Sequence, residues 1–545
     1  MPQPIAYNSG NPISGSIEKS TLSFTVEGAP RSERDYSSSY AGVNWYSTIP
    51  PQDGKYVIIS ASNPPMIWVT ADETDAELLT TINGLPDRYN QTLFTDTGSA
   101  LSWLGSNAYF VSRETPDQIN ADGIRVLFDA KNLSSYPRTG TTWYDLSGND
   151  DYSILYNGAT FWEGGAIEFD GVDDYAQTVA VANGTNSVSV EVLVNTDSLI
   201  AQQSIIFNAN GQGLYPRIGI YTDGRIYAQY RPVGNTTTIQ SIASLGTNKW
   251  NHILFSYDNA LGGFLYINGN LDNSNTSTLG NHEKGTNYNI KLGYDSNLNQ
   301  RLNGKLAKAK VYNQALSASD ALQNYYGGPI VTDGLVLAVD ASNLVSYESG
   351  STTTYSLTGS LSGSLTNGVG YNSQNGGTWV FDGIDDYITF GNNTATNFYH
   401  TDAFSLEAWI KPSAFAGFDT IIGGGYGNYR LAQNSNTLTF RLDSNNLIVE
   451  QASLLQLNEW QHVAATYDPN TFTAAIYYNG RFIKQGTDAT LNWSSTNNFG
   501  IGMSVGEGNP YYFPGNIAVG RVYNKTLTAE EVAQNYSATK QKYQF

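Results

Sequence analysis

Apolar and polar residues alternate in short runs along most of the chain, the period-two pattern of strands with one buried face. Leu306 to Tyr312 (LAKAKVY) and Ile517 to Tyr523 (IAVGRVY) are two such runs. Each follows a glycine and leads through an Asn turn into a short helix predicted from Ser317 or Thr528. Thr528 with Glu531 has capping-box spacing, and Ser317 with Asp320 is a weaker version of it. Asp223-Gly224 lies between IGIYT and RIYAQY, and Asn268-Gly269 follows FLYI. Such pairs tolerate positive φ at both turn positions and mark hairpins. Nearer the start, the pattern predicts the alternating stretch ISGSIEKSTLSFTVE and strands at Tyr56 to Ser60 and Met66 to Thr70. Short helices are predicted from Thr74 and from Thr95 or Asp96, and AYFVS is a closing strand.

The same phrases occur twice, roughly two hundred residues apart. DGIRVLFDAKNLSSY at Asp122 returns as DGLVLAVDASNLVSY at Asp333, and IEFDGVDDY at Ile167 returns as WVFDGIDDY at Trp379. SVEVLV at Ser189 pairs with SLEAWI at Ser405, WNHILFSYD at Trp250 with WQHVAATYD at Trp460, and LYINGN at Leu265 with IYYNGR at Ile476. A period this long implies duplicated whole domains, since solenoid repeats run about 20 to 50 residues. The chain therefore divides into residues 1–118, a small α+β module, and two repeats at 122–326 and 333–538. GGPIVTDG links the repeats with limited swing. About a dozen short antiparallel strands per repeat fit a two-sheet sandwich of jelly-roll type, so the fold class is mainly β.

Composition narrows the function. Forty-eight acidic against 28 basic residues give a net charge of −20, which disfavours nucleic acid and anionic lipid as partners. The absence of cysteine excludes disulfides and thiolate metal sites. The start, MPQPIAYNSGN, has no signal-peptide pattern, and no run is apolar enough to span a bilayer, so a soluble chain is expected.

Four sets of residues carry candidate chemistry. Asp170, Asp173 and Asp174, with Asp382, Asp385 and Asp386, offer oxygen ligands to a hard cation such as calcium. The plainer reading gives these acids to the turn itself. His252 and His462 occupy equivalent places, with no carboxylate or nucleophile recurring beside them, and read as fold residues. Glu191 and Glu407 read as edge or packing residues. Tyr426 and Tyr429 in GGGYGNYR, and Tyr511 and Tyr512 in GNPYYFPGN, stand in Gly- and Asn-rich segments that read as loops. There a ring face can stack on a sugar, so these four are the candidate ligand-binding residues.

The phrases FDGIDDYITF, FSLEAWIKP, EWQHVAATYD, IYYNGRFI and IAVGRVYNKTLTAEEVAQNY resemble the laminin G-like, concanavalin A-like lectin/glucanase sandwich, and the first repeat does so slightly less well. Enzymes of that superfamily carry a strand motif E-x-D-x-x-E, which is absent here, so the resemblance implies binding rather than catalysis. PQPIAYNSGNPISGSI, the strand pair, the ALSWL helix and YFVS resemble an N-terminal module of tailed-phage structural proteins, marine and cyanobacterial ones especially. That likeness implies a virion protein, assembled in the host cytoplasm, that docks on other virion proteins through residues 1–118. It would display its sandwiches to host-surface carbohydrate as a fibre, spike or decoration. A homo-oligomer is expected, a trimer if it is a tail fibre. Spacers without ligand, and a polysaccharide-cleaving enzyme, are the alternatives.

Overall fold

The computed structural model describes residues 123–543, except 150, 179–186, 209–216, 231–235, 278–288, 296–297, 360, 374–375, 416, 426–427, 444–445, 494–497 and 504–510. Before residue 112 it describes only the backbone of seven short strands, among them Tyr56–Ser60 and Met66–Thr70 where the alternation places them. These two pair antiparallel, and Tyr56–Ser60 also pairs with Ala108–Val111. The helices expected from Thr74 and Thr95 lie outside the described residues. Residues 1–114 form one compact unit, and both repeats lie in a second.

Each repeat is a sandwich of two antiparallel sheets with one strand order. In the first repeat the back sheet runs Thr160–Trp162, Ala166–Asp170, Asn303–Tyr312, Val188–Thr196, Trp250–Asp258, Gly262–Ile267 and Asn270–Asn275, and Ile124–Asp129 also pairs with Asn303–Tyr312. The front sheet runs from Thr237–Ser244 through Arg225–Tyr230, Arg217–Ile220, Gln203–Asn208, Ile290–Leu292, Tyr175–Thr178 and Tyr152–Tyr156 to Thr142–Tyr144. The second repeat has the same order in both sheets, and even its irregularity recurs. The central strand shifts register between Leu193 and Val194 in one copy and between Trp409 and Ile410 in the other.

Alternation puts Val190, Val192, Val194, Ile253 and Phe255 between the sheets of the first repeat. Leu406, Ala408, Ile410, Val463 and Ala465 do the same in the second. The opposite face of each back sheet is covered as well. Every residue of Val188–Thr196 is buried. One helix per repeat lies there: α1, Ala318–Tyr326, in the first and α2, Ala529–Tyr543, in the second. The expected caps are present at both. Ser317 and Asp320 make the reciprocal capping box, and the Glu531 N–H donates to the Thr528 hydroxyl at 3.2 Å while the Thr528 N–H donates back to Glu531 at 2.9 Å.

The helices stop differently. Gly327, at φ 72°, closes α1 in the left-handed conformation that glycine takes without a Cβ clash. Ala538 stands at the matching place in α2, which runs on to Tyr543. The two repeats then meet through the linker and the first turns of the second repeat. The Asn343 side chain donates to the Tyr325 carbonyl at 2.9 Å, and the Trp250 indole donates to Glu348 at 3.2 Å. Leu344 joins Leu193, Trp250 and Ala307 in one apolar cluster, and Val331 of the linker is buried in the second repeat.

Candidate functional site

Beneath each helix lies a buried polar network, built from four elements in the same way in both copies. In the second repeat, strand pairing sets Glu407 opposite Arg521 and sets Trp409 opposite His462, which brings all three side chains to the helix face of the back sheet. Arg521 Nη1 lies 2.5 Å and His462 Nε2 lies 2.9 Å from Glu407 Oε1. Asn535, from α2, donates to Glu407 Oε2 at 2.7 Å and contacts the Tyr523 hydroxyl at 2.9 Å. In the first repeat Lys310 replaces the arginine, 2.6 Å from Glu191 Oε1, and His252 Nε2 is 3.1 Å away. Asn324 reaches Glu191 Oε2 at 2.6 Å.

This overturns two sequence expectations. A carboxylate does recur beside each histidine, and Glu191 and Glu407 are not edge residues but the centres of the networks. The partners sit on strands remote in sequence, so no local motif brought them together. The usable signal was that Glu, His, Lys or Arg, and Asn each recur at matching places in both repeats.

Burial alone would raise the Glu407 pKa, but the Arg521 charge, then His462, outweighs it and holds the carboxyl at about 2. Glu191 is likewise held well below the usual carboxylate range, by Lys310 and His252 against its burial. A glutamate beside a histidine is acid–base chemistry in outline. Access decides against that use here. Glu407 and His462 are fully buried, and the cavity that touches Glu191, His252 and Lys310 is only about 40 Å³, far below the few hundred a saccharide needs.

The two acidic hairpin tips are also copies of each other. Asp170 Oδ1 accepts from the Val172 and Asp173 N–H groups, and Asp174 Oδ2 accepts from the Asp170 N–H. Asp382, Ile384, Asp385 and Asp386 repeat this arrangement. The backbone donor at Val172 is the main cause that lowers the Asp170 pKa, and burial raises that of Asp174. In each tip, one carboxylate oxygen from each of the three acids lies within 4.8 Å of the others. Asp174 Oδ1 is buried with no hydrogen-bond partner among the described residues. The donor set is therefore the turn's own capping and, at Asp174, an oxygen left over, which suits a hard cation.

Of the four candidate tyrosines, Tyr426 lies outside the described residues. Tyr429 is not a loop residue: it opens the strand Tyr429–Asn434, is buried, packs 4.6 Å from Phe404, and gives its hydroxyl to the Thr396 carbonyl. Its glycine-rich context hid a strand start. Tyr511 is 37% exposed, edge-on to Phe418 at 6.3 Å. Tyr512 is half-buried, 6.3 Å from Tyr387 beside the acidic tip. Arg441 lies 3.2 Å above Phe418 on the same ledge.

Residues 170–321 and 382–533, together more than half of the chain, match the laminin G-type family model described as the concanavalin A-like lectin/glucanases superfamily. No curated protein sequence matches the chain. Among solved structures it is similar to domain 4 of AbnA, a GH43 extracellular arabinanase from Geobacillus stearothermophilus, in complex with arabinotriose. Identity there is 18% over 36% of this chain and 96% of that one, with a TM-score of 0.29. It is also similar to domains LG4-5 of the mouse laminin alpha1 chain, with 11% identity, 68% and 94% coverage and a TM-score of 0.25. The native heptameric SAP-like pentraxin from Limulus polyphemus gives 12%, 29% and 81%, and 0.26.

Proposed function

The chain belongs to the concanavalin A-like lectin/glucanase superfamily through two tandem laminin G-like domains, and from that premise we propose that it is a non-catalytic glycan-binding protein. In this reading the sandwiches hold host-surface carbohydrate, and residues 1–118 fix them to a phage virion. The observation that carries the binding role is the contrast between what is sealed and what is open. Among the described residues the repeats share two ionisable constellations. The glutamate–histidine network is sealed under a helix, and the exposed acidic tips are engaged in capping their own turns, whereas aromatic rings stand at the front-sheet ledge. Tyr511, Tyr512 and Tyr387 keep partly exposed rings of the kind that sugar C–H faces stack on.

The virion role is supported by the N-terminal phrases and by the compact unit that residues 1–114 form apart from the repeats. Display of several copies would raise the effective concentration of weak sites at a cell surface, which fits a homo-oligomer. Calcium is the cation that the acidic tips suit, held by Asp170, Asp173 and Asp174 or by Asp382, Asp385 and Asp386, and it would fix the loop beside Tyr387 and Tyr512. Purely structural sandwiches would bind no saccharide.

Binding of the full chain to a glycan array, compared with Tyr511→Ala/Tyr512→Ala, tests the reading. Retention of neutral glycans by the wild type and their loss in the variant is expected. No glycan bound by either protein would favour spacers, and reducing sugar released from a host polysaccharide would favour an enzyme.

A further inference from the structure

The front sheet of the first repeat carries an aromatic and cationic patch that its counterpart lacks. Tyr156 and Tyr175 are directly opposed on neighbouring strands, and their rings stack at 4.7 Å with 13° between planes. Tyr294 follows at 5.5 Å from Tyr175. Lys291 Nζ sits 5.2 Å from the Tyr175 ring and 4.9 Å from the Tyr294 ring, and the Arg301 guanidinium lies 4.2 Å above Tyr294. All five residues keep some exposure, Tyr156 the most at 37%.

The two cations lack carboxylate partners. Among the described residues neither Lys291 nor Arg301 forms an ion pair, and Arg301 donates only to the Asn299 side chain, at 3.1 Å. The nearby Asp295 is fully buried and already paired with Arg217. In a chain with 20 more acidic than basic residues, two unpaired cations held over tyrosine rings are not what solvation alone would select. Partial burial lowers the Lys291 pKa, and Arg301 adds to the shift while Asp295 opposes it.

The second repeat supplies an internal control. Its register sets Thr366 where Tyr156 stands, opposite Tyr387, and Gly500 where Lys291 stands. The bridge between Tyr294 and Arg301 becomes one between Met503 and Tyr512. Both cations and two of the three rings are thus absent from an otherwise matching sheet.

We propose that Tyr156, Tyr175, Tyr294, Lys291 and Arg301 form a second, anion-selective saccharide site, which takes a sugar carrying a carboxylate or a sulfate ester. The exposed Tyr156 ring takes a C–H face of the sugar, and the ammonium and guanidinium, with N–H donors to spare, take the anionic group. The acidic tip adjoins the patch, since Asp174 directly precedes Tyr175 and Asn157, next to Tyr156, donates to the Asp173 carbonyl at 2.9 Å. The anionic group is therefore placed at the Lys291 and Arg301 end, and acids farther off are screened beyond about 8 Å at physiological salt. The assignment rests on the glycan-binding reading for its class of ligand, but not on the Tyr511 and Tyr512 ledge.

Calorimetric titration of the full chain tests it with three probes: a uronate oligosaccharide, a sulfated oligosaccharide and a neutral one. The double variant Lys291→Gln/Arg301→Gln and the separate Tyr511→Ala/Tyr512→Ala serve as comparisons. We expect at least one anionic probe to bind, to weaken as salt rises, and to lose about tenfold or more in affinity in the double variant, from loss of charged hydrogen bonds. Neutral binding should be unchanged in that variant, and anionic binding unchanged in the tyrosine variant. The uronate and sulfate arms distinguish the two sources of the anion. Neutral glycans bound without any anionic one, or anionic binding indifferent to the double variant, would overturn this site and leave the general reading standing. No saccharide bound at all would overturn both. Tighter binding of single-stranded oligothymidylate at the same residues would replace the sugar with a nucleic acid.

Discussion

Replacing Arg521 with methionine tests how the second repeat keeps its helix on its sheet. The substitution keeps volume but leaves the Glu407 carboxylate buried, with only His462 and Asn535 as partners. Breaking a buried pair from one side costs on the order of 3 to 5 kcal/mol, mostly through the stranded charge. Removing both charges, as Glu407→Leu/Arg521→Met, should recover most of that loss, because the desolvation of both groups vanishes with their attraction.

Acid gives an independent handle on the same group. Glu407 titrates at about 2 in the folded protein against an ordinary 4.5. Its folded pKa lies below the unfolded one, so its contribution is complete above the unfolded pKa and is lost as pH falls through 4.5 towards 2. That difference is worth on the order of 3 kcal/mol. In Arg521→Met this acid-side loss should shrink, since the guanidinium is the main cause of the depression. Hydrogen exchange of the strand Phe404–Pro412 at rising urea reads the second repeat by itself. A single variant within about 1 kcal/mol of wild type, or a double variant no more stable than the single, would contradict the assignment of a stranded charge.

Millimolar calcium should raise the melting temperature, with the gain reversed by chelator and reduced in Asp174→Asn; identical melts with and without calcium would leave the tips as self-capped turns. Deleting residues 539–545 removes Thr539, which accepts from the Trp409 indole at 2.8 Å, and Tyr543, 4.7 Å from Trp409. The loss should be about 2 to 4 kcal/mol in the second repeat alone, seen as earlier urea unfolding there. Deleting residues 1–118 should abolish incorporation into particles and leave two folded sandwiches; particles that still carry the shortened chain refute the docking role.

The repeat, the antiparallel strands and both helix caps were legible because each is written in a contiguous stretch: alternation, an Asn-Gly pair, or Ser and Asp three apart. The buried networks were not. Glu407, His462, Arg521 and Asn535 come from three strands and a helix, and only the pairing register makes them neighbours. The same holds for the anionic-sugar patch, where Tyr156, Lys291 and Arg301 look like scattered surface residues until adjacent strands align them. Tyr429 failed for the opposite reason. Its glycine-rich surroundings argued for a loop, but the strand starts at the tyrosine itself, and burial against Phe404 outweighs local composition.

The two copies part company mainly where they face outward, and that pattern separates support from recognition. Both must cover an apolar patch on the back sheet beside the network. In the first it is Leu193, Trp250 and Ala307, and Gly327 ends α1 early enough for Leu344 and Val345 of the next repeat to lie over them. In the second, Trp409, Ala518 and Val519 meet the continued helix instead, through Tyr536 and Tyr543. The glutamate, histidine and asparagine beneath are the same in both, and Lys310 against Arg521 keeps the charge. Removing a partner from such a network is costly, whichever element covers it. The front-sheet faces carry no such penalty, because exchanging the half-buried Lys291, which has no ion pair among the described residues, for a glycine such as Gly500 strands no charged partner. Two sandwiches with one interior can therefore present different surfaces, Lys291 and Arg301 over tyrosine rings in the first and Arg441 over Phe418 beside Tyr511 in the second, which is the difference that the two proposed saccharide sites require.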